Sequence, residues 1–556
     1  MNKIFSCIPG AVLLPLLLVS CHMKQQVDFI GYNGVIYTVD SAFTKAEAFA
    51  VKDGKFVETG STGDILARYK VASPDTANFI DLQGAAVYPG LNDSHCHFYG
   101  MGYGLLNVDL RGTTSFEQIL DRLQAAYREN PGRRFLIGDG WDQNLWPVKE
   151  FPVNEKLNEL FPDIPVVLSR IDFHAVIVNQ AAIDKLGVRP ADFGTKYKKA
   201  EAVLKEGKFT GVFMENMCVA FKDAVMVYTD ADIRDILLAA QKECFRYGLT
   251  SISDAEEDYP LLQIMDSMVN DGSLKLKLDV WLSATPQNLE KYQAPYVNKN
   301  LKITGLKLYS DGALGSRGAT LLQPYSDDRK NSGIDVYPVE EFRRLCQWAY
   351  DRGFRVATHC IGDKANRQTL DIYGEFAGKA RKERDKALWW RIEHAQIIQE
   401  TDMDKFGQYA VIPSVQPTHC TSDMFWAPDR LGERIKDAYR YQTLLRQHGW
   451  LPSGTDFPIE QVNPIYTFFA AVYRKNLDFL PAGGFQTEEA LTKEEALRSM
   501  TVWGAKATGE EAEKGSIEAG KQADFIITDR DFMIVPETAV PGTQITATYL
   551  NGGRVY

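Results

Sequence analysis

The chain has 556 residues, of which 45% are hydrophobic and 24% are charged, a composition ordinary for a globular protein with a large apolar core. Its 73 acidic residues outnumber its 62 basic ones, and the formal net charge is −11. Because the chain is acidic and has no basic block, we expect no nucleic-acid partner. The length predicts one large domain with a smaller one, or several of medium size.

The first residues have the pattern of a secretory signal. Lys3 gives a short basic start, and the apolar run over residues 8–19 is shorter than the roughly 20 residues of a membrane span. Leu18-Val19-Ser20-Cys21 resembles a bacterial lipobox, which implies removal of residues 1–20 and a diacylglycerol on the sulfur of Cys21. The alternative is a plain signal peptide with an incidental cysteine. We expect an extracytoplasmic protein that contacts a bacterial membrane through its lipid anchor only.

Both ends of the remaining chain are predicted to form short strands. Residues 27–85 contain Asn33-Gly34 and Asp53-Gly54 between β-rich runs, and these dipeptides are typical of hairpin turns. Asn551-Gly552 lies in a similar setting near the C-terminus. We therefore expect one small β domain built from residues 21–85 and 509–556.

The middle of the chain, residues 86–508, alternates between helical patterns and short apolar runs. The helical patterns cover residues 115–129, 230–247, 339–352 and 492–501. The apolar runs cover residues 165–168, 276–282, 303–309, 354–358, 390–393, 411–415 and 450–453. This alternation predicts an α/β fold with a parallel sheet, and a (β/α)₈ barrel and a doubly wound sheet both fit. Residues from about 100 to 240 are too long and irregular for simple βα units, so we expect an insertion there.

The segment His95-Cys96-His97 is a candidate metal-binding motif. It follows the apolar run 85–88, and the chain has only 8 histidines. If that run is a strand that continues through the motif, His95 and His97 project from one face and Cys96 from the other. Two imidazoles on one face can chelate a metal ion. The alternative is a pair of hydrogen-bonded structural histidines.

Other metal-capable residues recur where the apolar runs stop. Lys307 lies within one run, and His359, His394 and Asp456 each follow another. In a barrel, residues at the carboxyl ends of the strands converge on one mouth, where catalytic groups lie. Taken singly, each histidine could be a hydrogen-bonded core residue, and Lys307 could be salt-bridged.

This ordered set of His-x-His, Lys, His, His and Asp resembles the amidohydrolase superfamily of metal-dependent hydrolases. The surrounding sequence is similar to the amidohydrolase-3 branch, which includes N-substituted formamide deformylases, and the similarity extends from about residue 27 to the end. The motifs that carry it are Gly140-Trp141-Asp142 and residues 170–174, 305–307, 311–317, 416–419, 456–458 and 515–524.

The resemblance implies a distorted (β/α)₈ TIM barrel with a small β-sandwich formed by both chain termini. It implies that His95, His97 and Asp456 hold one divalent ion and that His359 and His394 hold a second. Lys307 would be carboxylated and bridge the two ions, because burial lowers the pKa of a lysine and a neutral amine can react with carbon dioxide. Zinc suits this set, although some relatives work with one ion.

The implied reaction is hydrolysis of a non-peptide C–N bond in an amide, a formamide or a cyclic amide. The metal would lower the pKa of water toward neutrality and polarise the carbonyl group, and Asp456 would carry a proton to the leaving nitrogen. An ester or lactone hydrolase on the same site and a catalytically inactive ligand-binding lipoprotein are the alternatives.

A further group of residues is predicted to bind the small-molecule substrate. These residues are His174, Arg317 and His419, with Trp141 and Asp142 lining the pocket. For each of them, closing a loop is an equally good explanation. The oligomeric state, including a homodimer, is left open.

Overall fold

The computed structural model describes residues 24–72, 78–193, 196, 200–384 and 387–556. The predicted signal sequence and its lipidation site Cys21 lie outside the described residues. Within the described ranges, no helix combines the length and the apolar character needed to cross a membrane.

The N-terminal segment forms nine short strands and one helix. They are β1 Gln25–Val27, β2 Phe29–Tyr32, β3 Val35–Tyr37, β4 Lys45–Ala46, β5 Ala48–Lys52, β6 Lys55–Gly60, α1 Thr62–Arg68, β7 Tyr69–Val71, β8 Phe79–Asp81 and β9 Ala86–Pro89. Ser61 begins α1, since its hydroxyl accepts a hydrogen bond from the Asp64 amide.

The first barrel strand, β10 (Leu91–Cys96), is followed by α2 (Phe98–Leu106) and then by a separate mixed sheet. This insertion contains β11 Val108–Asp109, α3 Phe116–Glu129, β12 Leu136–Trp141, α4 Glu155–Leu160, β13 Val166–Arg170, β14 Ala175–Val178, α5 Gln180–Leu186, β15 Ala200–Lys205, β16 Lys208–Glu215 and α6 Asn216–Val225. It has apolar clusters of its own on the faces of its sheet, which explains why the region does not read as βα units.

The chain then returns to the barrel. The elements are α7 Asp230–Arg246, β17 Leu249–Glu257, α8 Tyr259–Asp271, β18 Lys277–Ser283, α9 Pro286–Lys291, β19 Tyr296–Asn298, β20 Leu301–Tyr309, α10 Val339–Arg352, β21 Arg355–Cys360, α11 Asp363–Arg384, β22 Arg391–His394, α12 Lys405–Tyr409, β23 Ile412–Ser414, α13 Pro417–Asp423, α14 Ala427–Leu431, α15 Tyr441–His448, α16 Pro464–Tyr473, α17 Lys493–Ser499 and α18 Val502–Ala507. Parallel pairing runs in the order β10-β17-β18-β20-β21-β22-β23. This is the predicted barrel.

An irregular segment, residues 451–457, closes the barrel between β23 and β10. Ser453 forms a parallel bridge with Val415 on one side, and the Ser94 amide donates to the Ser453 carbonyl on the other, at 3.1 Å. Two residues explain why the segment is irregular. Pro452 has no amide hydrogen to donate. Gly454 packs so closely on β10 that a Cβ there would lie 2.4 Å from the backbone nitrogen of His95. Asp456 adopts a φ of +61°.

The C-terminal strands complete a sandwich with the N-terminal ones. They are β24 Phe525–Thr528, β25 Ile545–Leu550 and β26 Gly553–Arg554. β24 pairs with β9, so one sheet has the order β26-β25-β24-β9-β3-β4, and it faces the sheet β6-β5-β2-β8. Phe525 lies 4.9 Å from Phe49 across the interface, ring centroid to ring centroid, and stacks on Tyr549 at 4.3 Å. Aromatic burial therefore joins the two chain ends.

Two details of the predicted strands are wrong. Asn33-Gly34 does not make a hairpin, because β2 and β3 belong to different sheets and the dipeptide carries the chain between them. The run 85–88 is β9 of the sandwich, and the candidate ligand His95 lies on a second strand, β10, directly after it. The turns at Asp53-Gly54 and Asn551-Gly552 do have the positive φ values that tight hairpins need.

Asp93 helps to close the barrel, so its replacement tests how much this closure contributes to stability. Its buried carboxylate accepts hydrogen bonds from the His95 amide and from the amide and hydroxyl of Thr455, which tie β10 to the closing segment. Asp93→Ala should lower the free energy of unfolding by about 2 to 4 kcal/mol, because buried donors lose their acceptor. Calorimetry can compare it with Asp429→Asn, an exposed change outside the barrel wall. An unchanged unfolding temperature in Asp93→Ala would contradict this role.

Candidate active site

The carboxyl ends of the barrel strands surround a cavity of about 400 Å³. All six side chains predicted as metal ligands line it, and so does His419. The six are His95, His97, Lys307, His359, His394 and Asp456. Residues separated by up to 361 positions in sequence, from His95 to Asp456, thus share one wall because each lies at or just after the end of a barrel strand.

Three of these residues already have the spacing of a metal site. One ligand atom from each of His95, His394 and Asp456 lies within 4.8 Å of the other two. His97 lies close to the same carboxylate, with its Nε2 3.1 Å from Asp456 Oδ1. His394 and Asp456 both adopt positive φ, which is uncommon for residues other than glycine and concentrates at functional sites.

Several buried imidazole nitrogens in the cavity have no hydrogen-bond partner among the described residues. They are His359 Nε2, His394 Nδ1 and His419 Nε2. An unpaired buried polar atom costs free energy, and coordination of a metal ion would satisfy such atoms. Burial, with the nearby Lys307, lowers the pKa of His359 to about 3, so its ring is neutral as a ligand must be. The residues present therefore fit a metal ion.

Lys307 is buried on the inner face of β20. Its Nζ lies 3.4 Å from His95 Nε2, and its side chain is only 2% exposed. Burial lowers the pKa of Lys307, in spite of the carboxylates of Glu393 and Asp456 nearby. A larger fraction of neutral amine is the condition that the predicted carboxylation requires.

The His95 ring is fixed by a carboxylate beneath it. His95 Nδ1 lies 2.6 Å from Glu393 Oε2, and Arg391 donates to the same Glu393 oxygen at 3.0 Å. Burial would raise the pKa of Glu393, but Arg391 and His95 outweigh it and hold the pKa at about 2. Glu393 therefore accepts the proton on Nδ1, which leaves the lone pair of Nε2 facing the cavity.

Asp311 fixes the segment that forms one wall. Its buried carboxylate accepts hydrogen bonds from the amides of Thr320, Ile361 and Gly362, at 2.8 to 3.0 Å. These contacts join the loop after β20 to the end of β21, which carries His359. Asp311 thus positions a ligand strand and leaves the cavity lining to Ala313, Leu314 and Gly315.

Four residues predicted to bind substrate do not line the described cavity. Trp141 is buried in the insertion and donates to the Leu168 carbonyl at 2.8 Å, and Asp142 pairs with Arg170. His174 is 70% exposed beside Glu215, and Arg317 pairs with Asp327. Local packing and ion pairs account for all four positions, and their role in binding stays a prediction. His419 alone of this group lies in the cavity.

The sequence reasoning missed most of the cavity wall and the support of His95. The missed wall residues are Tyr309, Gln396, Asp423, Trp426, Ile459 and Glu460. Arg391 and Glu393 could have been predicted from the sequence. They are charged residues at alternate positions of an apolar strand, so they share one face and point into the barrel. Tyr309 ends β20 two positions after Lys307, so strand alternation could have indicated it. The other wall residues follow strand ends in loops and short helices, where no periodicity marks them.

Comparison with known proteins decides the family. The profile of the amidohydrolase family matches residues 78–556. The chain belongs to the amidohydrolase family. Members of this family are metal-dependent hydrolases, which agrees with the histidine-rich cavity.

Individual relatives of this amidohydrolase cover nearly its whole length. YtcJ of Bacillus subtilis (strain 168) is 30% identical over 546 residues, which is 95% of this chain and 99% of YtcJ. The N-substituted formamide deformylase of Arthrobacter pascens is 24% identical over 95% of this chain and 98% of its own. An uncharacterized metal-dependent hydrolase from Pyrococcus furiosus superposes with a TM-score of 0.73 at 30% identity, over 91% of this chain and 99% of that chain.

The contact between His95 and Glu393 makes a prediction about metal affinity. Glu393→Gln keeps the shape of the side chain but removes the charge that orients the His95 ring, so zinc affinity should fall by about 10- to 100-fold. Competition with a chromogenic chelator measures this, with Glu375→Gln on the exposed face of α11 as the control. Wild-type affinity in Glu393→Gln would show that this carboxylate does not support the ligand.

Proposed function

We propose that this amidohydrolase hydrolyses a non-peptide C–N bond, in an amide, a formamide or a cyclic amide. The observation that carries the proposal is the meeting of all six candidate ligands in one cavity, with the first ligand His95 oriented by Glu393. The name of the Arthrobacter pascens relative supports a carbon–nitrogen bond as the target.

The proposed roles follow from the positions of the side chains. His95, His97 and Asp456 would hold one zinc ion, and His359 and His394 a second, with the carbamate of Lys307 between them. The metal, when bound, would polarise the scissile carbonyl and acidify water. His419, whose Nε2 lies 3.6 Å from Asp456 Oδ2, would orient the substrate on the same side of the cavity.

Asp456 is the residue proposed to move the proton. Its carboxylate lies between His95 and His97 and within reach of His419, so it faces the place where the reaction would occur. It would take a proton from water and deliver it to the leaving nitrogen, which departs as a neutral amine. An amide nitrogen leaves poorly without that proton.

A hydrolysis screen on the zinc-reconstituted protein tests the proposal. The panel should contain N-alkyl formamides, N-acyl amino acids, cyclic amides and lactones, with release of the amine or acid followed by chromatography. Zinc-dependent turnover of an amide or formamide supports the proposal. Turnover of lactones alone would assign an ester bond instead, and no turnover by protein with zinc bound would favour a binding protein.

Asp456→Asn separates catalysis from binding. The amide oxygen of asparagine can still contact a metal ion, but the side chain no longer accepts and returns a proton. Turnover should therefore fall by at least about 100-fold while zinc stays bound, as measured by steady-state kinetics and elemental analysis of one preparation. Near wild-type turnover would remove Asp456 from the proton path.

We also propose that the protein is an extracytoplasmic lipoprotein, anchored to the periplasmic or the cell-surface face of a bacterial membrane. The support is the sequence Leu18-Val19-Ser20-Cys21 after a short apolar run. Cys21→Ser should abolish incorporation of radiolabelled palmitate and move the protein from the membrane fraction to the soluble one. Cys218→Ser, which changes a buried cysteine of the insertion, is the matched control. Equal labelling of wild type and Cys21→Ser would contradict the anchor.

A further inference from the structure

Two carboxylates lie in the cavity wall above the candidate ligands. Asp423, at the end of α13, and Glu460, after the closing segment, both line the cavity. Asp423 Oδ2 accepts a hydrogen bond from the Tyr439 hydroxyl at 2.8 Å and lies 3.5 Å from Gln396 Nε2. Glu460 Oε1 accepts one from the Ser422 hydroxyl at 2.6 Å. The partners that hold these carboxylates are therefore neutral.

The described part of the chain offers neither carboxylate a lysine or arginine within ion-pair distance. Burial raises the pKa of the Asp423 carboxyl, His419 and the hydrogen bond from Tyr439 oppose this effect, and the charge of Glu460 adds to it. A cation bound beside the two carboxyl groups would stabilise their charged forms. Apart from histidines, Lys307 is the only basic residue among the described ones that lines the cavity, and it lies beside His95. Arg317 and Arg430 share Asp327 and do not line the cavity.

The same cavity has apolar and aromatic side chains in its wall. Leu314, Ile361 and Trp426 line it, and Trp426 packs so closely on Gly315 that a Cβ there would lie 3.2 Å from the ring. A cavity that combines aliphatic and indole surface with fixed carboxylates is suited to an alkyl chain that ends in an ammonium group. A ligand carboxylate beside Asp423 and Glu460 would face like charge.

The position of the carboxylates also indicates which part of the substrate they contact. Asp423 shares the seven-residue helix α13 with His419, whose ring approaches Asp456, and Glu460 follows Asp456 by four residues. Both therefore lie on the Asp456 side of the cavity, where the leaving nitrogen receives its proton in the proposed reaction.

We propose that the substrate is an amide whose amine portion carries a second, protonated amino group, which Asp423 and Glu460 bind. The identity of the bond rests on the proposed function. Water cleaves the amide C–N bond, the acyl carbon takes the hydroxyl group as a carboxylic acid, and the nitrogen takes the proton and leaves as the amine of a diamine. N-acyl amino acids, with a free carboxylate on the amine portion, should be disfavoured.

Binding of three matched N-formyl-N-hydroxyamines to the zinc-loaded protein tests this without requiring turnover. These compounds chelate a metal ion through two oxygens, and their N-substituents are pentyl, 4-aminobutyl and 4-carboxybutyl, which are neutral, cationic and anionic at similar length. We expect the aminobutyl compound to bind about tenfold more tightly than the pentyl compound in calorimetry, and the carboxybutyl compound to bind more weakly than either. Equal affinities, or no binding of any of the three, would overturn the proposal.

Two variants test whether Asp423 and Glu460 cause the preference for the cationic compound. Asp423→Asn keeps an acceptor for Tyr439, and Glu460→Gln changes a separate element, so each should reduce the ratio of aminobutyl to pentyl affinity about three- to tenfold. Asp429→Asn, an exposed carboxylate on α14 outside the cavity, should leave the ratio unchanged. An unchanged ratio in both Asp423→Asn and Glu460→Gln would overturn the assignment even if the preference exists.

Turnover of the three corresponding N-alkyl formamides distinguishes this inference from the proposed function. If the cationic compound binds best but no formamide is hydrolysed, the charge preference stands and the proposed reaction fails. If the formamides are hydrolysed and binding shows no preference for the cation, the reaction stands and the charge preference is overturned.

Discussion

The contact between His95 Nδ1 and Glu393 is the interaction on which the candidate site depends. It joins the first and sixth strands of the barrel inside a water-poor interior, and Arg391 supports it by also donating to the Ser94 carbonyl and to Ser414. A histidine whose Nδ1 proton is held by a carboxylate presents its other nitrogen as a ligand. The same group of charges links β22 to β10 and β23 inside the barrel, so the fold and the site share one set of contacts.

Burial sets the chemical state of the groups above this contact. His95, His359 and His394 have pKa values lowered mainly by burial, and so does Lys307, which favours neutral ligands and a neutral amine. Buried neutral imidazoles without hydrogen-bond partners cost free energy, and coordination of a cation would offset that cost. The cavity wall also holds Asp423 and Glu460, for which the described residues offer no lysine or arginine partner.

The architecture and the ligand positions could be predicted because each depends on a local pattern. His359 and His394 end apolar runs that the structure has as β21 and β22, and barrel geometry brings strand ends together. The pattern failed where tertiary contacts outweigh it: Asn33-Gly34 connects two sheets, and residues 451–457 replace a regular eighth strand. Asp423, Trp426 and Glu460 could not be found from sequence, since only the folded loops place them beside the ligands. The motif that contains Trp141 gives no sign that its indole nitrogen donates a hydrogen bond to the Leu168 carbonyl inside the insertion.

Anomalous diffraction at the zinc edge from crystals of the zinc-loaded protein tests the central claim most directly. We expect a strong peak within coordination distance of His95 Nε2, His97 and Asp456, with any second peak beside His359 and His394 and with Lys307 between the two. Zinc found only elsewhere on the molecule, with the cavity histidines bonded to water or to one another, would contradict it.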